Sequence, residues 1–383
     1  MVQEKKRKIC FIITSRNHYA RSKLILNELK RRNNVELQII VGASALLSNY
    51  GDVSSFLKKD GFKHDFKIAM AVEGGSSLAM AKTTGIGVTE FATAFYNLEP
   101  DLVVVRGDRY EILSAAVAAA YLNIPLAHIE GGDVTGSIDE SVRHAVTKLA
   151  HIHFATNKRS KDRILRMGED PKYIFNFGCP ELELIFKNKY KVSGEFRGVG
   201  NVININKPYL MIIQHSVTSE IDRNRDNITK TLQAVHELNI PTIWFWPNID
   251  AGTDEISKGI RIFREQNNPE NIYFIKNMPA EEFIGLLKKS LCLVGNSSSG
   301  IKECSYLGVP VVNIGSRQDG RMRAKNVMDT DYDKQHIKLA IERQIRRGRY
   351  EPSNIYFQKD TSRKIAQVLA RTNLYTQKKF YDV

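Results

Sequence analysis

Val103-Val104-Val105-Arg106-Gly107-Asp108-Arg109-Tyr110-Glu111 reads as a strand that ends in a glycine turn and opens a helix. The same grammar recurs along the chain. Short apolar runs at 9–14, 37–41, 102–105, 126–129, 152–155 and 173–177 alternate with helical patterns that include 21–29, 77–96, 112–122 and 141–150. Strand, helix, strand order predicts a mostly parallel sheet with helices on both faces. The stretch 187–207 is polar, rich in Gly and Asn, and reads as a linker. A second series follows, with strands expected at 209–214, 242–246, 272–275, 291–294 and 309–314. The fold class is therefore α/β, with two Rossmann-like domains facing a central cleft. The expected units are 1–190, 205–360 and a C-terminal segment 361–383, whose helix packs back on the first domain. In open α/β sheets ligands sit beyond the carboxyl ends of the strands, so functional residues are sought just after each apolar run.

Composition narrows the classes. A chain of 383 residues with 42% hydrophobic and 26% charged residues suits two globular domains. No apolar run reaches the roughly 18–20 residues needed to span a bilayer. The apolar start at 9–13 is too short for a secretory leader and reads as the first strand. Cys10, Cys179, Cys292 and Cys304 are scattered without metal spacing, as expected of buried thiols in a cytoplasmic protein. The net charge of +14 comes from dispersed Lys and Arg residues. With no basic tail and no nucleic-acid motif, it reads as a solvated surface plus an anion-binding cleft, not as a nucleic-acid or membrane partner.

Several strand ends carry chemistry. Asp108 stands at one, where a carboxylate can act as a base, bind sugar hydroxyls or cap the next helix. The next strand ends in His128-Ile129-Glu130-Gly131-Gly132, and the two glycines would let a backbone or ligand approach Glu130 closely. Ser137 and Glu140 have the spacing of a capping box, and Asp139 and Arg143 that of a helical ion pair. His151 and His153 share a strand face but lack a third ligand, so no metal site is expected. His215 follows the first strand of the second series and would face the cleft, and Asn248 ends another strand there. Gly295-Asn296-Ser297-Ser298-Ser299-Gly300 opens a helix as a phosphate-binding turn does, with Glu303 one turn on and placed to hold ribose hydroxyls. Arg16, Arg317 and Arg321 follow other strands and supply cations for a diphosphate; Arg109 and Arg143 add two more. If Asp108, Glu130 and Asp139 converge, their mutual repulsion should push at least one carboxyl toward neutral pH.

GDRYE at 107–111, HIEGGDVTGSIDESVRHAVTKLAH at 128–151, PNIDAG at 247–252, GNSSSGIKE at 295–303 and SRQDGR at 316–321 together resemble the hydrolysing UDP-N-acetylglucosamine 2-epimerases. The resemblance implies a glycosyltransferase-B-like fold, a nucleotide-sugar substrate, no metal and no other cofactor. It implies loss of the C2 proton with anti elimination of UDP, then hydration of the glycal to a free N-acetylmannosamine-type sugar. Asp108, Glu130 and Asp139 match family acids, His215 a cleft histidine, and Arg16, Ser297, Ser298 and Glu303 nucleotide-binding positions. The stretch after Arg16 departs from the usual Arg-Ala-Asp/Glu-aromatic pattern, leaving Arg16 as the contact expected there. A homodimer or homotetramer is the expected assembly. The same reaction on a UDP- or GDP-linked 2,4-diacetamido-2,4,6-trideoxy sugar is the nearest alternative. A glycosyltransferase of this fold would need an acceptor site and leave three acids surplus, and a nucleotide-sugar sensor would show no turnover.

Overall fold

The computed structural model describes residues 5–47, 52–187, 192, 194–197, 202–247, 250–275 and 278–382. The first half alternates strands and helices: β1 (Arg7–Ile13), α1 (Arg16–Lys30), β2 (Val35–Gly42), α2 (Val53–Lys59), β3 (Phe66–Ile68), α3 (Ser77–Leu98), β4 (Leu102–Arg106), α4 (Tyr110–Tyr121), β5 (Leu126–Ile129), α5 (Asp139–Leu149), β6 (Ile152–Ala155), α6 (Lys158–Arg166), β7 (Ile174–Asn176) and α7 (Pro180–Lys187). The strands form one seven-stranded parallel sheet in the order β3-β2-β1-β4-β5-β6-β7. Its inner strands β4, β5 and β6 are buried throughout because both faces are covered. Ile9, Phe11 and Ile13 of β1 pack into one core with α1, while Cys10 and Ile12 enter another with α3 and α4.

The second half repeats the plan: β8 (Glu195–Arg197), β9 (Val202–Asn204), β10 (Leu210–Ile213), α8 (Asn224–Glu237), β11 (Thr242–Phe245), α9 (Thr253–Asn267), β12 (Ile272–Ile275), α10 (Ala280–Lys289), β13 (Leu293–Gly295), α11 (Ser298–Ile301), α12 (Glu303–Leu307), β14 (Val311–Ile314), β15 (Val327–Thr330), α13 (Lys334–Arg347) and α14 (Thr361–Arg371). Its parallel sheet runs β12-β11-β10-β13-β14-β15. Both sheets have the Rossmann order, so each has a switch point where successive crossovers leave in opposite directions, beside β1 in one and β10 in the other. The protein is thus two Rossmann-like units with a cleft between their switch points. Helix α14 packs on α1, burying Ile365, Ala366, Leu369 and Ala370 in the core of the first sheet.

Three local expectations change. The stretch 187–207 is not a plain linker: β8 and β9 pair as an antiparallel hairpin, and Val192, Ile203 and Ile205 are buried in the second core. The edge strands β3 and β15 have no match among the predicted runs; each is three or four residues long and only partly buried. The run at 173–177 is split, since a single 3-10 turn at Pro171–Tyr173 precedes β7.

Candidate active site

The loops after β4, β5, β13 and β14 converge on the cleft. A cavity is lined there by Arg21, Asp108, Glu130, Asp133, Thr135, Asp139, Arg143, Ser298, Lys302, Arg317, Gln318 and Arg321. The two halves meet closely around it. Gly136 donates its N–H to the Arg317 carbonyl (3.3 Å), and a Cβ at Gly136 would collide with the Ser316 carbonyl. A side chain at position 136 would therefore separate two loops that share the cavity wall.

Asp108 is half-buried beside Arg143, which donates to its Oδ2, and Arg321 Nη2 lies 3.8 Å from the same oxygen. Burial opposes ionisation, but the two guanidinium groups outweigh it and hold the carboxyl below the usual range. Asp139 opens α5 and is the opposite case. Burial, with repulsion from Asp108, pushes its carboxyl up to about 6 despite Arg317, whose Nη2 is 3.8 Å away. Arg143 therefore pairs with Asp108 and not with Asp139. The capping box is also absent. Ser137 Oγ makes no hydrogen bond, and Glu140 instead accepts from the Thr135 N–H (2.6 Å), closing the loop before the helix.

Glu130 lies at the cavity floor with φ of 74°, a left-handed backbone that disfavours a side chain. Arg106 Nε donates to its Oε2 (3.0 Å), and Lys302 Nζ donates to its Oε1. Burial would raise its carboxyl, yet Arg106, Lys302 and Arg21 drive it well below the ordinary glutamate range. The glycines that follow serve protein packing: Gly131 faces His128 and Thr147, and Gly132 faces Ser160 and Ile164. Glu130, Cys179 and Glu181 bring ligand atoms within 4.8 Å of one another. Lys302 and Arg106 already neutralise these carboxylates, so a divalent ion would face buried cations at close range.

His215 is fixed through its backbone. Its N–H donates to Asn296 Oδ1 (2.7 Å), and Asn296 Nδ2 donates back to its carbonyl (2.9 Å). Burial and Arg317 press its imidazole down to about 3, so it is neutral at physiological pH. Asp250, not singled out as a site residue from sequence, accepts from Arg109 Nη1 (2.7 Å) and lies 3.8 Å from Arg317 Nη2. Arg109 also grips Glu111, which commits it to protein acids. Arg16 stands away from the cavity lining: its Nη2 donates to the Met278 carbonyl (2.8 Å) and its guanidinium lies over the Phe56 ring. Ser297 caps the one-turn α11 by accepting from the Ser299 N–H (3.3 Å), while Ser298 lines the cavity. Glu303 Oε1 accepts from Arg21 (3.2 Å) and Ser299 (3.3 Å), and its Oε2 is buried with no hydrogen-bond partner. Asn248 lies outside the described residues. His151 and His153 serve the protein interior, His151 against Leu126 and Thr376, His153 against Glu169.

This cavity joins cations and a serine turn from the second unit to acids from the first. The sequence pattern of the family described as UDP-N-acetylglucosamine 2-epimerase matches residues 27–370. The chain belongs to that family. As a UDP-N-acetylglucosamine 2-epimerase family member it is 33% identical, over 97% of both chains, to the UDP-N,N'-diacetylbacillosamine 2-epimerase (hydrolyzing) of Legionella pneumophila. It is 30% identical, over 85% of both, to the GDP/UDP-N,N'-diacetylbacillosamine 2-epimerase (hydrolyzing) of Campylobacter jejuni. In fold it is similar to the UDP-GlcNAc 2-epimerase of Methanocaldococcus jannaschii, solved in complex with UDP-GlcNAc and UDP, with a TM-score of 0.77 over 94% of this chain and 99% of that one at 18% identity. None of the described helices is long and apolar enough to cross a membrane. Arg21, Asp133, Thr135, Lys302 and Gln318 are cavity-lining residues that sequence reasoning missed. Lys302 stands inside the GNSSSGIKE stretch, and Arg21 lies five residues past Arg16 on α1.

Proposed function

We propose that this family member is a hydrolysing 2-epimerase that converts a UDP-linked 2-acetamido sugar to UDP and the free 2-epimer. The observation that carries the reading is the shared cavity. Ser298, Arg317 and Arg321 stand on one side for a diphosphate, and Asp139, poised to about 6, stands on the other. Removal of the C2 proton turns the C2–H electron pair into a C1=C2 double bond. The C1–O bond breaks, and its pair leaves on the UDP oxygen, whose charge the arginines stabilise. Water then adds its oxygen to C1 while C2 takes a proton on the opposite face. Two faces require two proton-carrying groups. Asp139 can gain or lose a proton near neutral pH, which suits it to one of them. We assign the other to His215, whose imidazole is neutral in the free protein and would take up a proton only once a bound anion offsets Arg317. Asp108 and Glu130 act as fixed anions, and the partner-free Oε2 of Glu303 is suited to a ribose hydroxyl.

The names of the Legionella and Campylobacter relatives favour N,N'-diacetylbacillosamine, a 2,4-diacetamido-2,4,6-trideoxy sugar, as the sugar, linked to UDP in the first name and to GDP or UDP in the second. The family description supports UDP-N-acetylglucosamine as the second reading. Proton NMR of the purified protein with each sugar nucleotide separates them. The expected result is free 2-epimerised sugar and UDP in equal amounts, formed faster from the diacetamido compound. Faster turnover of UDP-N-acetylglucosamine would reverse the substrate order. An epimer still attached to UDP would exclude the hydrolysing reaction.

A further inference from the structure

Beneath the reaction cavity lies a second layer of charge. Arg106 ends β4 with no exposure and bridges Glu130 and Glu181; Arg21 on α1 meets Glu181 (3.8 Å) and Glu303 (3.2 Å). All of these except Glu303 belong to the first unit. Lys302, at the junction of α11 and α12, comes from the second, is 3% exposed, and donates to Glu130 with Glu181 3.8 Å away. The cluster is balanced: Arg21, Arg106 and Lys302 against Glu130, Glu181 and Glu303. A buried ion set of this kind is stable only while every member keeps its partners. Lys302 follows Ser298 by four residues, and Glu130 precedes Asp139 by nine. This ammonium–carboxylate contact therefore adds a buried tie, below the Arg317–Asp139 approach at the cavity wall, between the segment placed for the diphosphate and the segment carrying the proton-exchanging acid.

We infer that Lys302 is a positioning residue: by pairing with Glu130 across the cleft floor it sets the register between the diphosphate side and the acid side of the cavity. Glu130 is then the anchor of that contact. The left-handed turn at Glu130 fits this role, since it turns the side chain out of the strand direction toward the second unit. Arg106 holds Glu130 within the first unit, and among the described residues Lys302 is the second-unit cation in direct contact with it. The inference rests on the proposed reaction for its kinetic test alone.

The test compares Lys302→Met and Lys302→Arg in the intact chain. For Lys302→Met the expected result is a loss of about 10²-fold in kcat, the scale of a misplacement of about 1 Å. The acid limb of the kcat–pH profile should also move upward, because Glu130 has lost a cation. Lys302→Arg should restore the wild-type limb and most of the rate. A merely structural lysine would lower the melting temperature and leave kcat and the acid limb of the folded enzyme unchanged; that result would overturn the inference. Carbon-13 NMR of glutamate-labelled protein needs no turnover. It should show a carboxyl titration in Lys302→Met that is absent from the wild type and vanishes on adding Glu130→Gln, and identical titrations would count against the inference even where the proposed reaction fails. If Lys302→Met does not fold, Lys302→Met with Glu181→Gln restores charge balance. That variant should fold and remain slow, and a wild-type kcat in it would refute the positioning role.

Discussion

Glu130 and Asp139 stand nine residues apart on one segment, and the fold gives them opposite chemistry. Glu130 is enclosed by Arg106, Lys302 and Arg21 and is locked as an anion. Asp139 is also largely removed from bulk water but has chiefly Arg317 nearby to offset the repulsion of Asp108, and its carboxyl rises to about 6. Burial penalises both charges; the number of cations within reach decides which way each carboxyl moves. An acid in a cleft is therefore not by itself a proton-transfer group. Only one of this pair has a charge state that can change near neutral pH.

The largest effect that would sharpen this contrast is on rate. Asp139→Asn should lower kcat by about 10²–10⁴-fold, as loss of a general acid or base does. The same variant should be more stable than the parent above pH 6, because it removes a carboxylate that the fold disfavours. A fall in both rate and stability would place Asp139 among the structural acids. Glu130→Gln should act first on stability. It leaves Arg106 and Lys302 without a full counter-charge, a change expected to cost about 3–5 kcal/mol in denaturant unfolding. Unchanged unfolding in Glu130→Gln would break the comparison.

The pH dependence of stability gives a smaller test with opposite signs. The Asp139 carboxyl has a raised folded value, so its contribution is complete below the unfolded value near 4 and is lost as pH rises through about 6. That loss should be on the order of 1–3 kcal/mol, from about 1.4 kcal/mol per pK unit discounted for partial exposure. Asp139→Asn should abolish it. Glu130 has a depressed value, so its contribution is present above the ordinary glutamate range and is lost as pH falls below it. The smallest effect is expected at Glu140, which holds the Thr135 N–H. Glu140→Gln should cost under about 1 kcal/mol and leave the rate nearly unchanged. A large rate loss there would move the catalytic assignment along this segment.

The long, doubly buried strands were legible because a strand covered on both faces must be apolar throughout, and such unbroken runs stand out between amphipathic helices. Edge strands β3 and β15 were not, since their short and partly exposed residues carry no such pattern. The hairpin in 187–207 was hidden because each of its strands is only three residues long and lies in a polar stretch rich in Asn and Gly. Strand-end logic brought Asp108, Glu130, Asp139, Arg143, Ser298, Arg317 and Arg321 to one cavity. It could not say which acid would be neutralised. The partners that decide this lie far away in sequence, as with Glu130 and Lys302, separated by 172 positions. Arg16 and Arg109 stand at the expected strand ends, where protein acceptors meet them: the Met278 carbonyl, 262 positions from Arg16, and the Glu111 and Asp250 carboxylates, 2 and 141 positions from Arg109.

The most direct measurement is turnover in D2O followed by NMR of the products. Elimination and rehydration remove the original C2 proton and replace it from solvent through an exchangeable group. The account predicts free sugar with full deuterium at C2 and an equal amount of UDP, and no such label in residual substrate if UDP departure is concerted with proton loss. Product that keeps its original C2 proton, or that remains attached to UDP, would contradict it.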